Sequence, residues 1–218
     1  MTASNLSKFV PLTGIVAVVL IVVSFIVSGE TPDTDDPLQE VVTFYTENDS
    51  DQMAAGILLG FGALFFLIFA TALRNTLRRA ERDGAGASTL SFAGAIVFVV
   101  GATIFAGIAF TLGDAADNVE PPSLHTLHVL NNDMFLTVAV GLFAFALGTG
   151  IAVVRTGALP AWLGWVAIVL SVLSITPIFF IAFAVMGLWV LGVSVLLTLA
   201  ADRAPPSTAP PPSTAPGP

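Results

Sequence analysis

The residues best suited to chemistry are gathered between positions 125 and 133. His125 and His128 are the only histidines in the chain, and Asn131, Asn132 and Asp133 follow them. Two imidazoles three residues apart, with a carboxylate nearby, can bind a divalent transition metal, so His125, His128 and Asp133 are the candidate metal ligands. The same histidines beside Asp114, Asp117 and Glu120 could instead sense pH, because imidazole changes charge near neutral pH. Pro121-Pro122-Ser123 predicts a helix entrance with Ser123 as N-cap, which puts His125, His128 and Asn132 on one face. The plain alternative is a solvated helix start at a membrane surface. No glutamate stands in an HExxH arrangement, so the metalloprotease motif is absent.

A second set is basic. Arg74, Arg78 and Arg82 are four apart and line one helical face, the pattern expected of a surface that meets anionic lipid head groups. Other chemistries are excluded by what is missing. Without cysteine there are no disulfides, thiolate metal sites or cysteine nucleophiles. The only lysine is Lys8, so no Walker A sequence exists, and no GxSxG elbow is present. Neither enzymatic activity, nor a cofactor, nor a nucleic-acid partner is expected.

The elements that must carry these residues follow from composition. Hydrophobic residues make up 56% of the 218 positions and charged ones only 10%. Soluble domains carry about 25% charged residues, so lipid rather than water must cover much of this chain. A span needs about 20 apolar residues to cross roughly 30 Å of hydrocarbon. Stretches at about 9–28, 51–73, 89–112 and 134–154 meet that requirement. The first exceeds the ~7–15 residues of a signal-peptide core and is expected to be a retained span. The stretch 161–201 is about 41 residues, or roughly 60 Å as one helix, and must fold back. Thr176-Pro177 is the expected break, giving spans at about 161–176 and 181–201 with a turn near Pro177–Phe180. The predicted fold is all-α, a polytopic six-helix transmembrane bundle. A five-span chain with a re-entrant end is the main rival.

Charge orients the bundle. Lys8, Arg74, Arg78, Arg79, Arg82, Arg155 and Arg203 are all the basic residues, and six spans with the N-terminus inside put all seven on the cytoplasmic side. Twelve of the fifteen acids then lie outside: Glu30, Asp33, Asp35, Asp36, Glu40, Glu47, Asp49, Asp51, Asp114, Asp117, Glu120 and Asp133. Both termini are cytoplasmic in this arrangement. In the first outer loop, Asp36 as N-cap, Pro37 and Gln39 predict the start of a short extracytoplasmic amphipathic helix. Its apolar face is Leu38, Val41, Val42 and Tyr45, set against the outer interface or capping the bundle. Inside, Asp83-Gly84 is expected to end the arginine-bearing extension of the second span. Residues 204–218, with Pro-Pro-Ser-Thr-Ala-Pro repeated at 205–210 and 211–216, predict a disordered Pro-rich cytoplasmic tail.

The spans carry no ionisable residue at depth, which argues against proton-coupled transport. Their polar residues are mainly hydroxyls, such as Thr71, Thr103, Thr137, Thr149, Ser171, Ser174 and Ser194, each able to bond its own helix backbone. Gly56 and Gly60, and Ala144, Gly148 and Ala152, stand at spacings that let helices approach closely, within the bundle or in a homo-oligomer. Three functions remain. The first is a non-enzymatic structural or interaction protein of the envelope, meeting membrane lipids, anionic head groups at the cytoplasmic face and membrane-protein partners. The second is a carrier or channel for a small neutral or apolar solute through a hydroxyl-lined interior. The third is a metal- or pH-sensing protein. A tightly packed bundle favours the first, and a continuous cavity between helices the second.

Two strips of sequence point to a family. Ser28-Gly29-Glu30-Thr31-Pro32-Asp33, with Gln39-Glu40-Val41-Val42 and Phe44-Tyr45, is one. Arg155-Thr156-Gly157-Ala158-Leu159-Pro160-Ala161-Trp162-Leu163-Gly164-Trp165 is the other. Over roughly residues 9–200 the chain resembles small uncharacterised multi-pass membrane proteins of high-GC actinobacteria, of the kind filed under domains of unknown function. The resemblance implies a plasma-membrane location and no particular activity.

Overall fold

Backbone polar groups in hydrocarbon must find partners within the chain, and helices achieve this segment by segment. The computed structural model describes residues 10–81 and 86–203. Among the described residues there is no strand. A 3-10 turn, Val10–Leu12, leads into α1 (Thr13–Ser28), and α2 (Leu38–Glu47), α3 (Asp49–Ala80), α4 (Ala87–Ala115) and α5 (Pro121–Asp133) follow. The described residues close with α6 (Phe135–Thr156), α7 (Ala161–Leu173) and α8 (Phe179–Arg203). The all-α polytopic bundle expected from sequence is what forms. Five segments are long and apolar enough to cross a membrane: α1 with its leading turn, α3, α4, α5 running into α6, and α8. α7 has 13 residues, which is about 20 Å and less than a full span.

Successive long helices alternate in direction. Near the end of α1, Ser24 Oγ donates to Ala55 O at 2.8 Å, close to the start of α3. Beyond the other end of α3, Glu81 accepts from Ser88 N at 2.9 Å and from Ser88 Oγ at 2.6 Å, tying it to the first turn of α4. Trp189 Nε1 of α8 donates to Leu163 O at the start of α7, 3.0 Å away, so these two form a hairpin. The twelve acids therefore collect at one end of the bundle, and Arg74, Arg78, Arg79 and Arg155 at the other. Trp162 and Trp165 are exposed at the basic end, where aromatic belts form in membranes.

Around the bundle, α1, α3, α4, α6 and α7 each pack on the next, and α8 closes the ring against α7 and α1. Phe66, Phe98 and Phe145 fill its centre, with centroids 4.7 Å (Phe66–Phe98) and 5.1 Å (Phe66–Phe145) apart. The tightest seam joins α4 to α6. A Cβ on Gly94 would strike the backbone of Phe145, one on Gly141 the backbone of Phe98, and one on Gly148 the backbone of Ser91. Only glycine permits backbones this close. Thr149 donates its one proton to Phe145 O at 2.8 Å, so Ser91 Oγ must donate to Thr149 across the seam, at 2.7 Å. The predicted small-residue stripe on α6 is used within the chain. Of the predicted GxxxG pair, only Gly56 sits at a close approach: a Cβ there would lie 2.6 Å from Ala106 O, whereas one on Gly60 would meet nothing within 4 Å.

Several local expectations are corrected. The turn after α7 comes earlier than Pro177–Phe180. α7 stops at Leu173, because Ser171, Ser174 and Thr176 each donate to a carbonyl three residues back and tighten the helix to its end. α2 begins at Leu38 with Pro37 in the cap position and no side-chain cap bond. The Asp36 carboxylate accepts from Asp33 N instead, at 2.7 Å, so the capping box does not form. α5 starts at Pro121, ahead of Ser123, since proline suits a first turn whose N–H groups have no helical partner. α3 ends at Ala80. Lys8, Arg82, Asp83-Gly84 and the tail 204–218 lie outside the described residues.

The α4–α6 seam predicts a sharp contrast. Gly94→Val should lower stability by about 1–3 kcal/mol or prevent assembly, as overpacking does. Gly60→Val should cost little beyond its small helix-propensity change. Thermal unfolding in detergent measures both.

Candidate functional site

Two regions hold polar or open features, and they adjoin. The first is a cap on the acidic end. Val41 and Tyr45 of α2 and Leu124 of α5 bury against Leu112 of α4 and Ala116 just beyond it. This is the bundle-capping role expected for α2, with Val41 and Tyr45 inside and Leu38 exposed. His128 is fully buried within the cap. Its Nδ1 lies 2.9 Å from Tyr45 Oη, and its Nε2 lies 3.4 Å from Asp33 O and 3.3 Å from Asn132 Nδ2. Burial raises the Tyr45 pKa well above the ordinary phenol range, so its hydroxyl stays protonated and donates to Nδ1. Nε2 then carries the ring proton and faces the Asp33 carbonyl. Burial also lowers the His128 pKa. The Asp33 carbonyl opposes that effect, the nearby His125 adds to it, and Asp36 opposes it.

The candidate metal ligands are not gathered into a coordination set. Both nitrogens of His128 are engaged, His125 is half-buried with its ring centroid 6.3 Å from that of His128, and Asp133 is exposed. Among the described residues no three His, Asp or Glu side chains form a metal-binding group. His128 instead links three segments: the α1–α2 connection, α2 and α5. Of the basic set, Arg78 is exposed and Arg74 is half-buried, its guanidinium 5.0 Å from the Phe92 ring centre. Arg74 thus lies partly over α4 rather than wholly towards lipid.

The second region is a series of three adjoining cavities. A cleft of about 570 Å³ opens sideways between α1 and α8, lined by Val18, Ile21, Phe66, Leu142, Gly187 and Val190 among others. Phe25, Phe98 and Phe183 separate it from a chamber of about 260 Å³, which they also line. Phe183 stacks on Phe98 at 6.3 Å and meets Phe25 edge-on at 6.1 Å. Above the chamber is a pocket of about 90 Å³, polar in its lining, bounded by Ser24, Ser28, Gln52, Asn131 and Asn132. It shares Phe25, Leu59, Phe105 and Asn132 with the chamber. None of the three is lined by an ionisable side chain.

The cleft and chamber are lined chiefly by apolar side chains, phenylalanines among them, and hydroxyls are confined to the polar pocket and to Thr31 between it and the chamber. Thr103, Thr149, Ser171 and Ser174 are bonded to carbonyls of their own helices, and Thr71 and Thr103 face outward. The cleft lies where α8 packs sparsely, against α1 and α7 alike, while the other neighbours pack along their lengths. These features define a polytopic α-helical membrane protein with a lateral apolar cleft. No family model matches the chain, and no curated protein or solved structure is significantly similar to it.

Reading the sequence missed Tyr45 as the partner of His128, and Ser28, Gln52 and Asn131 as one pocket. The available signals were slight. Tyr45 is the only tyrosine, and Gln52 is an amide at the entrance to an apolar run.

The buried histidine sets a pH dependence. Its folded pKa lies below the unfolded value of about 6.5. The stability it contributes is full above that value and is lost as pH falls through the folded pKa. Hydrogen exchange of amides in 38–47, corrected for intrinsic rates, should rise as pH falls below about 6.5. His128→Asn should flatten that dependence, and Tyr45→Phe should raise exchange even at neutral pH.

Proposed function

We propose that this is a non-enzymatic plasma-membrane protein that binds an apolar chain in the cleft between α1 and α8 and serves as its carrier. The observation behind this reading is the lateral cleft of about 570 Å³ that continues into an aromatic chamber. Binding sites for small molecules are mostly apolar concavities of this size range with a few convergent polar groups. A purely structural bundle would bring α8 against α1 as closely as it brings α6 against α4. Ile26 and Leu188, 72% and 68% exposed, stand at the cleft mouth, so an acyl chain can enter from the surrounding lipid without crossing a polar barrier.

The sidedness is part of the proposal. The basic end faces the cytoplasm by the bias of Lys and Arg near span ends, and the acidic cap faces out. Arg78, Arg79 and Arg155 are exposed and available to anionic head groups there. The resemblance to actinobacterial multi-pass proteins supports the plasma membrane as the location.

Filling the cleft tests the binding role. Ala184 and Gly187 line it, and a Cβ on Gly187 meets only Val18, at 3.6 Å. In nanodiscs, a photoreactive acyl-chain probe should label α1 and α8 of the wild type. Ala184→Trp and Gly187→Phe should each reduce that labelling several-fold. Labelling spread evenly over all outer helix faces, or unchanged in both variants, would overturn the reading. For sidedness, a reporter fused after Arg203 should read out as cytoplasmic, and an external readout refutes the orientation.

A further inference from the structure

The small pocket above the aromatic chamber has a chemistry of its own. Asn131 is only 6% exposed and lines it, and its Oδ1 is buried without a hydrogen-bond partner. A buried amide oxygen left unpaired is costly, so a ligand that donates to it gains. Two of the three hydroxyls lining the pocket are already committed, and the third is Thr31. Ser24 has given its single proton to Ala55 O, and Ser28 has given its own to Gln52 Oε1 at 3.1 Å. Gln52 Nε2 is directed to Ser28 O at 2.8 Å. What the two serines retain is oxygen lone pairs. With the Thr31 hydroxyl and the second Gln52 Nε2 proton, the pocket both accepts and donates hydrogen bonds, which suits a hydroxyl.

Charge narrows the occupant. No Lys, Arg, Asp or Glu lines this pocket or the chamber below it. A buried cation or anion there would have no counter-charge, which is costly. The acids clustered at this end also repel an anion. A neutral donor group satisfies every condition.

Distance joins the pocket to the cleft. From Val18, which lines the cleft, to Ser28, which lines the pocket, α1 rises about 15 Å. An acyl chain lying in the cleft and chamber would hold a head group attached at its upper end in the pocket. We infer that the ligand is a single-chain amphiphile with an uncharged, hydroxyl-bearing head, seated with its chain between α1 and α8 and a hydroxyl on Asn131 Oδ1. This rests on the cleft being a binding site for apolar chains and adds the class of head group.

The test is displacement of the photoreactive acyl-chain probe from the full-length protein in nanodiscs by four oleoyl compounds. These are monoolein with two free hydroxyls, methyl oleate with none, oleate and oleylamine. Monoolein should displace the probe at about tenfold lower concentration than methyl oleate, the ratio expected for one recovered buried hydrogen bond. Asn131→Leu and Asn131→Ala should abolish that advantage, with thermal unfolding in detergent used to show that both variants are folded. Equal displacement by monoolein and methyl oleate, or a preference that survives both variants, overturns the head-group assignment and leaves the cleft reading standing. A preference for oleylamine or oleate over monoolein overturns the neutral head. Failure of all four to displace the probe, with labelling indifferent to Ala184→Trp, removes the cleft reading and this inference with it.

Discussion

The rest of the bundle depends on the backbone-to-backbone contact of α4 with α6. Gly94, Gly141 and Gly148 remove the side chains that would hold the two helices apart, and the Ser91–Thr149 hydroxyl pair fixes their register. In hydrocarbon, helix association cannot draw on a hydrophobic driving force, since lipid tails are as apolar as leucine. Close packing and interhelical hydrogen bonds must do it. With that pair locked, Phe98 and Phe145 are set against Phe66 of α3, and α1 and α7 find their places on the flanks. α8 comes comparably close to α1 at one end, where a Cβ on Gly14 would strike Ser194 Oγ, a side chain rather than backbone. Gly187 is near only Val18, and Gly192 meets nothing within 4 Å. The same rule that tightens one side of the ring leaves the other side open.

The open side and the cap meet at Asn131 and Asn132. Asn132 borders both the chamber and the polar pocket, and its amide is within reach of His128, whose other nitrogen is held by Tyr45. The ceiling of the cavity series is thus built from a buried polar network, in which each member limits the orientation of the next. The floor is apolar and lacks such constraints. An occupant would meet a rigid, directional end and a permissive one, an arrangement suited to reading a head group while tolerating varied chains.

Much of this was legible in the sequence, and the limits have physical causes. The long apolar runs, the fold-back at Pro177 and the separation of acids from arginines follow from solvent and charge, which act on residue types and need no coordinates. The face of α2 was legible for the same reason, since Val41 and Tyr45 repeat at helical spacing. The caps of α2 and α5 were not, because prolines at 37, 121 and 122 and a local Asp36–Asp33 bond compete with the side-chain cap at nearly equal cost. His128 was read from sequence as a metal ligand, a pH sensor or part of a solvated helix start, and its buried position could not be foreseen. Its partners Tyr45 and Asp33 lie 83 and 95 residues away, and no periodicity reports such a distance. The cleft was invisible for another reason: a cavity is set by which helix pair packs poorly, and small residues are common on every span.

The ring closes where the first long helix meets the last. Neighbours from α1 through α7 are close in sequence, the longest connections being those that carry α2 and α5, so each can dock as it emerges from synthesis, at modest loop-closure cost. The α1–α8 contact spans most of the chain and forms last, when every other stave is in place. The cleft is therefore the final seam of assembly. It would be the least cooperative part of the finished bundle, able to part and reseal while the α4–α6 side stays shut.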